Sequence, residues 1–293
     1  MPIYRRFGLA LIGLVLAGHS VQAQTESNSD PVIEQARKAA AVYVQSLPKY
    51  LVQRTTTRSV DVRSASYDAT GSGCSSNAAR GDRGLNPAGC QGPAENWRTV
   101  DVVTADIVTD HGHEIDMNLR VNGAPATETD VDRGASCAEG DFDGALQAIL
   151  APSSAASFTK KRSVTLAKRP AWRYEYSIDQ VHSDWHLSHM SMGSMQNYAP
   201  AFGGVIWIDQ ETSRVLRFEM EARNLPAGFP MDKVQWAIDY DFVKVGNGTY
   251  LLPKHSHTDN CQRNISRCTR NVTDFQNYKE FSADTSVSFD SGK

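Results

Sequence analysis

The chain has 293 residues, of which 40% are hydrophobic and 22% charged, which is enough for one sizeable hydrophobic core. Its formal net charge is −3, and loss of Arg5 and Arg6 with a leader would leave 28 basic against 33 acidic residues, a net charge near −5. Domains that bind nucleic acids are usually basic, so this balance disfavours a nucleic acid as the partner.

The first 23 residues have the pattern of a secretory signal peptide. Arg5 and Arg6 precede an apolar run over residues 7–18, and small residues precede a cleavage site after Ala23. The apolar run is too short to remain as a membrane-spanning helix, and no later segment is long and apolar enough. We therefore expect a periplasmic or secreted protein with no transmembrane span after signal removal, and a single domain over residues 24–293.

A helix is predicted at the start of this domain. Asp30 is a residue type that caps helices, Pro31 suits the first helical position, and the segment PVIEQARKAAAVYVQSL would end at Pro48. Residues on one face of this helix are apolar, which predicts that it covers a sheet. That face comprises Val32, Ala36, Ala39, Tyr43 and Leu47.

Residues 64–96 differ in composition from the rest of the chain. They are rich in Gly and Ser and lack apolar periodicity, which predicts a surface insertion. Export would permit disulfides among the five cysteines. The shortest pairings are Cys74–Cys90 and Cys261–Cys268, with Cys137 left over, either buried or free.

The chain after the insertion is predicted to be mostly strand. IDMNLRV alternates apolar and polar residues from Ile115 to Val121, and a second helix is expected over DFDGALQAIL. The core-facing residues of that helix would be Phe142, Leu146, Ile149 and Leu150. From about Ser163 onward nearly all segments have strand periodicity.

Three later strands each have one polar face and one apolar face rich in aromatic residues, which is typical of an antiparallel sheet packed on one side. GVIWID has apolar residues on both faces, Val205 and Trp207 on one and Ile206 and Ile208 on the other, so we expect it to be central and covered on both faces. The pattern predicts an α+β fold in which a curved antiparallel sheet, a half-barrel, covers one or two helices. The residues predicted to line an apolar cavity in it are Trp172, Tyr174, Phe218, Met220, Trp236, Ile238 and Tyr240.

The histidines are clustered, which raises the question of a metal site. His182 and His186 lie four residues apart in a strand-like segment, about 13 Å along a strand, so they would not share an ion. Trp185 and Leu187 would there point inward. His255 and His257, two residues apart with Asp259 nearby, are the better candidates for metal ligands, but solvated strand positions explain them more simply, so we predict no metal site.

The sequence contains no motif that demands an enzyme. A nucleophile elbow of the G-x-S-x-G type, an S-x-x-K motif with supporting partners and a phosphate-binding glycine loop before a helix are all missing. We expect no cofactor. An acid/base pair assembled from distant residues remains open as an alternative.

Several segments together resemble a group of uncharacterised exported proteins of acidobacteria: ARKAAAVYVQSLPKYLVQRTT, CAEGDFDGALQAIL, GGVIWIDQETSRVLRFEMEARNLPAGFP, AIDYDFVKVGNGTYLLP and NYKEFSADTSVSF. More remotely, the hairpin VIWID-turn-VLRFEME and the strands after it are similar to the outer-membrane lipoprotein-sorting (LolA-like) half-barrels. That resemblance implies a curved antiparallel sheet closing over helices, with an apolar cavity between them.

Three functions are compatible with the sequence. The first is an envelope protein that binds a lipid or acyl chain in the concave sheet without catalysis, because its apolar face is rich in aromatic residues. The second is a structural or interaction module of the envelope, with a protein partner and a filled core. The third is a metal-binding protein or metal-dependent enzyme that uses His255 and His257.

Overall fold

A computed structural model describes residues 30–43, 46–62, 96–110, 113–132, 144–191, 194–263 and 267–281. The predicted signal peptide, nearly all of the 64–96 insertion, the proposed Cys74–Cys90 pair, Cys137 and Phe142 lie outside the described residues. Among the residues that it does describe, no helix is long and apolar enough to cross a membrane.

Strands dominate the structure. The helices are α1 (Pro31–Ala41), α2 (Glu128–Asp132) and α3 (Gly144–Leu150). The strands are β1 (Tyr50–Val62), β2 (Arg98–Asp110), β3 (His113–Val121), β4 (Ala124–Pro125), β5 (Ser157–Leu166), β6 (Arg169–Ile178), β7 (Leu187–Ser191), β8 (Ser194–Tyr198), β9 (Ala201–Asp209), β10 (Val215–Arg223), β11 (Met231–Val245), β12 (Gly248–Gln262) and β13 (Arg267–Glu280).

Eleven strands form one open sheet in the order β4-β3-β2-β1-β13-β12-β11-β10-β9-β6-β5, and β7 and β8 form a separate hairpin. Every pairing in the large sheet is antiparallel, and most neighbours in space are also neighbours in sequence. The two exceptions are the pairing of β6 with β9 and the pairing of β1 with β13, which joins the beginning of the sheet to its end. The expected fold, a curved antiparallel sheet with few helices, is confirmed.

The helix α1 begins as predicted but ends earlier. Asp30 caps it by accepting a hydrogen bond of 2.9 Å from the backbone N–H of Val32, and Pro31 is its first residue. It ends at Ala41 rather than near Pro48. The β-branched Val42 and the bulky Tyr43 lose side-chain freedom in a helix, which favours a stop there.

The buried face of α1 also differs from the prediction. Ile33, Ala36, Ala40 and Tyr43 are buried, whereas Val32 and Ala39 are only half-buried. The spacing of three, four and three residues follows the 3.6-residue period, and it is rotated by about one residue from the predicted face. Ala36 and Tyr43 were predicted correctly.

The helices α1 and α3 pack on one face of the sheet, which we call the inner face. Its central residues are those predicted to line a cavity, and they form one hydrophobic cluster with the apolar residues of both helices. Tyr43 ties α1 to the sheet by donating a 2.8 Å hydrogen bond to the carbonyl oxygen of Leu251. Leu146, Ile149 and Leu150 of α3 are buried as predicted.

The predicted disulfide between Cys261 and Cys268 is present. The two cysteines are cross-strand partners near the turn that joins β12 to β13. The spacing of seven residues therefore corresponds to a hairpin, which is why the shortest pairing was a sound prediction.

Candidate functional site

The predicted cavity residues lie together on the inner face. Six of the seven are buried, with exposed fractions from 0% for Phe218 to 9% for Trp236, and Trp172 is half-buried at the edge of the same cluster. Rings of this group pack edge-on: Phe218 meets Trp236 with ring centroids 5.6 Å apart, and Tyr240 meets Tyr43, two residues after α1 ends, at 6.3 Å. That these residues line a ligand cavity stays a prediction.

Polar groups fix the helix against this cluster. The hydroxyl of Tyr174 donates a 2.8 Å hydrogen bond to the carboxylate of Asp30, and the ammonium group of Lys161 lies 3.1 Å from that carboxylate. Burial and the neighbouring carboxylate raise the pKa of Tyr174, so its phenol remains protonated and available as a donor. Asp30 therefore both caps α1 and anchors it to β6.

The opposite, outer face of the sheet carries a continuous row of six residues on six neighbouring strands. Each residue is the cross-strand partner of the next. We call these residues the outer-face row: Arg173, Trp207, Arg217, Asp239, His255 and Asp274.

Trp207 is the apolar centre of this row. It lies half-buried between two guanidinium groups, with Arg173 at 5.7 Å and Arg217 at 5.6 Å from its ring centroid. Val205 of the same strand is also half-buried. GVIWID is therefore fully covered on its inner face, at Ile206 and Ile208, and partly covered on its outer face, where the guanidinium groups lie over Trp207.

The guanidinium of Arg217 is held in place by two carboxylates. It donates to Glu219 over 2.9 and 3.1 Å and also pairs with Asp239. Burial alone would lower the pKa of Arg217, but the hydrogen bonds to these carboxylates raise it, so the group stays charged. The two carboxylates therefore fix the position of the cation over Trp207.

The two candidate metal ligands lie side by side on β12, and each contacts a carboxylate. The Nδ1 atom of His255 is 2.9 Å from Asp274, and the Nε2 atom of His257 is 2.8 Å from Asp259. In the part of the chain that the structure describes, no group of three or more His, Cys, Asp or Glu side chains could hold a metal ion. His182 and His186 are exposed and belong to no such group either. Trp185 and Leu187 point inward, as predicted.

The outer-face row was missed in the sequence because strand pairing decides it. The turn over residues 209–213 pairs Ile208 with Val215, and a register shift between Val215 and Arg217 then sets Arg217 opposite Trp207. The alternation of β10 already placed Arg217 on the polar face. The turn alone would have set Leu216 opposite Trp207, so this pairing could not be predicted from the sequence.

Comparison with known proteins gives only remote likenesses. No protein-family model matches the chain, and no curated protein matches it. A Vibrio parahaemolyticus domain assigned to outer membrane lipoprotein sorting is 9% identical, with 86% of this chain and 92% of that one covered and a TM-score of 0.36. The MucA/MucB complex of Pseudomonas aeruginosa gives 11% identity, 84% and 94% coverage and a TM-score of 0.24.

These values describe a remote structural resemblance and carry no argument about function. The resemblance to an acidobacterial family stays a prediction. What the protein does has to be argued from its own side chains.

Proposed function

We propose that this chain is an exported interaction module, which binds a protein partner of the cell envelope through its outer-face row. The observation that carries the proposal is a contrast between the two faces of the sheet. The aromatic residues at the centre of the inner face are buried against the protein's own helices, whereas the ring of Trp207 on the outer face is half-buried and lies between two arginines.

The residue types and their geometry support partner binding. Tryptophan and arginine are enriched among the residues that supply most of the binding energy in protein interfaces. Arg217 is already held by Glu219 and Asp239, so little side-chain entropy is lost when a partner docks. The row also contains Asp239 and Asp274, so we expect a partner with both basic and acidic groups around an apolar centre.

The exported location rests on two observations. The sequence predicts a signal peptide, and the Cys261–Cys268 disulfide is of a kind that persists in oxidising compartments. A partner in the same compartment is therefore the appropriate target.

Lipid binding on the inner face would require a different arrangement of the same elements. Each buried CH₂ of an acyl chain contributes about 0.8 kcal/mol only if apolar protein surface is free to receive it. Phe218 and Ile238 have at most 1% of their surface exposed. A chain could contact them only if α1 and α3 moved away from the sheet.

Photo-crosslinking in the intact envelope tests the proposal. A benzophenone side chain at position 207 should give one discrete adduct, while the same probe at the exposed turn residue Lys168 should not. Arg217→Ala should weaken binding of the identified partner to the purified protein at least about tenfold, the range of a strong interface residue. No adduct at position 207, or the same adducts at both positions, would overturn the proposal.

A further inference from the structure

A further arginine extends the outer-face row onto β5, the strand at the edge of the sheet. Arg162 is the cross-strand partner of Arg173, so the two side chains lie on the same face. The preceding residue, Lys161, lies on the inner face with Asp30, as the alternation of a strand requires. Arg162 is exposed, and it makes no hydrogen bond or ion pair with any residue that the structure describes.

Positive charge is in excess at this end of the row. Arg162 and Arg173 lie directly opposite each other, and like charges in that position destabilise a sheet. Among the described residues, the carboxylate that pairs with this group is Glu175, which lies 3.3 Å from Arg173 and 2.8 Å from the ammonium group of Lys160. Three cations therefore share one anion, which leaves two positive charges without compensation.

The other end of the row carries negative charge. Asp274 on β13 has 51% of its side chain exposed, and its carboxylate contacts the imidazole of His255. Asp239 lies between His255 and Arg217 in the same row. Seven neighbouring strands, spaced about 4.8 Å apart, separate the two ends by about 29 Å along the sheet. No single side chain of a partner can reach both ends, so each end needs its own counter-charge.

We propose that Arg162 and Arg173 together bind a carboxylate of the protein partner, and that a basic side chain of the same partner lies at Asp274. This inference rests on the proposed function and gives the partner a direction along the row: an acidic group, an apolar group over Trp207, then a basic group. A carboxylate has two oxygens and can accept hydrogen bonds from both guanidinium groups, which offsets their mutual repulsion. The reverse direction would place like charges together at both ends, which costs binding energy.

The mixed charge of the row favours a protein over an anionic membrane surface. A membrane of acidic lipids attracts clusters of basic side chains. Asp239 and Asp274 lie on the same face and would be repelled by such a surface. A protein segment can present both signs of charge in the required order.

The test uses the full chain and the partner captured at position 207. Arg162→Glu should lower the affinity at least about tenfold, mainly through slower association, because a like charge then faces the partner's carboxylate. Lys168→Glu, at an exposed turn, changes the net charge equally and should leave the affinity unaltered. Raising the salt concentration from about 0.1 M to about 1 M shortens the Debye length to about 3 Å and should bring the two variants closer together.

Folding does not confuse this comparison. Arg162 has no partner among the described residues, so Arg162→Glu breaks no contact and replaces a repulsion with an attraction to Arg173. Its urea midpoint should therefore equal or exceed that of the unaltered chain. A loss of binding with this midpoint preserved is a property of the interface.

Charge reversal in the partner makes the result decisive. Acidic residues of the crosslinked segment are replaced by lysine one at a time, and one of these changes should restore binding to Arg162→Glu. The same change should not restore binding to Asp274→Lys. Equal affinities of Arg162→Glu and Lys168→Glu, or no reversal that restores binding, would overturn this inference and leave the proposed function standing. Failure to capture any partner at position 207 would overturn both.

Discussion

Asp259 shows how one side chain connects His257, one of the two candidate ligands, to the stability of the sheet. It lies on the outer face of β12, is almost fully buried, and accepts hydrogen bonds of 2.8 and 2.7 Å from Arg270, besides its 2.8 Å contact with His257. Burial alone would raise the pKa of Asp259. The hydrogen bonds from Arg270 and His257 outweigh it and hold the pKa well below the usual range.

This depressed pKa makes a prediction with a definite sign. A carboxyl that is more acidic in the folded than in the unfolded chain contributes stability above the unfolded pKa and loses it as the pH falls toward the folded pKa. At pH 7, Asp259→Asn should lower the free energy of unfolding by about 2 kcal/mol, the scale of hydrogen bonds to a charged group.

Urea denaturation at several pH values checks the predicted effect of Asp259→Asn. The difference between Asp259→Asn and the unaltered chain should be constant above about pH 5 and should shrink progressively below about pH 4, the usual aspartate pKa. A difference that stayed constant down to pH 2 would contradict the assigned cause.

At the same scale, the sequence predicted residue types better than residue partners. Clustering singled out His255 and His257 with Asp259 nearby, but the pairing of His255 with Asp274 depends on how β12 aligns with β13. Asp274 lies 17 residues or more beyond these histidines, so no local pattern could connect them. Contacts of this kind follow from strand register, which is a property of the folded sheet.

Among the elements, β9 depends on a close approach that only glycine permits. Gly204 lies between Tyr176 of β6 and Met220 of β10. A Cβ at this position would overlap the backbone carbonyl of Glu219. The hydroxyl of Tyr176 donates a 2.9 Å hydrogen bond to that same carbonyl oxygen, so the ring of Tyr176 reaches across the glycine.

Gly204→Ala should therefore force β9 and β10 apart and lower the free energy of unfolding by about 1–3 kcal/mol, as overpacking does in other cores. Gly228→Ala is the matched control, since nothing lies within 4 Å of a Cβ there. Thermal unfolding followed by circular dichroism gives both values. Equal stability of the two variants would show that β9 and β10 are not packed as described.

The elements themselves were largely predictable. The alternation of apolar and polar residues predicted the strands after Ser163. It also predicted which residues of β10 and β11 are buried, because burial of one face of a strand imposes a period of two. The end of α1 was not predictable in this way, because apolar residues continue past Ala41 with a helical period. The stop depends on local side-chain crowding and on the tertiary contacts of Tyr43, such as its bond to Leu251.

For the whole molecule, the pairing of β1 with β13 decides whether the sheet is continuous. It joins residues from opposite ends of the chain, so the sheet cannot be completed until distant segments meet. The Cys261–Cys268 disulfide fixes β13 to β12 and so holds β13 in position for β1. Removing the disulfide should therefore destabilise the sheet beyond the hairpin formed by β12 and β13.

Replacing both cysteines, Cys261→Ala with Cys268→Ala, should lower the free energy of unfolding by about 2 kcal/mol, as expected for a short closed loop. Amide hydrogen exchange should become faster in β1 as well as in β12 and β13. Faster exchange confined to the hairpin, with β1 unaffected, would contradict the proposed role of the disulfide in joining the two parts of the sheet.

At this scale the sequence predicted the sheet and its aromatic inner face, but left open whether that face holds a ligand or the protein's own helices. The choice depends on how closely α1 and α3 approach, which is set by Asp30, Tyr174 and Tyr43. Of these three, only Asp30 has a local role that the sequence indicates.

The central claim is that α1 and α3 fill the inner face of the sheet. Native mass spectrometry of the protein purified from its own compartment, combined with lipid extraction, tests it most directly. If the helices fill the inner face, the mass should equal that of the mature chain, no lipid should be extracted in stoichiometric amount, and a fluorescent fatty acid should not be taken up. A stoichiometric acyl ligand that is lost when Phe218 is replaced by a bulkier tryptophan would contradict the claim and identify the inner face as a lipid site.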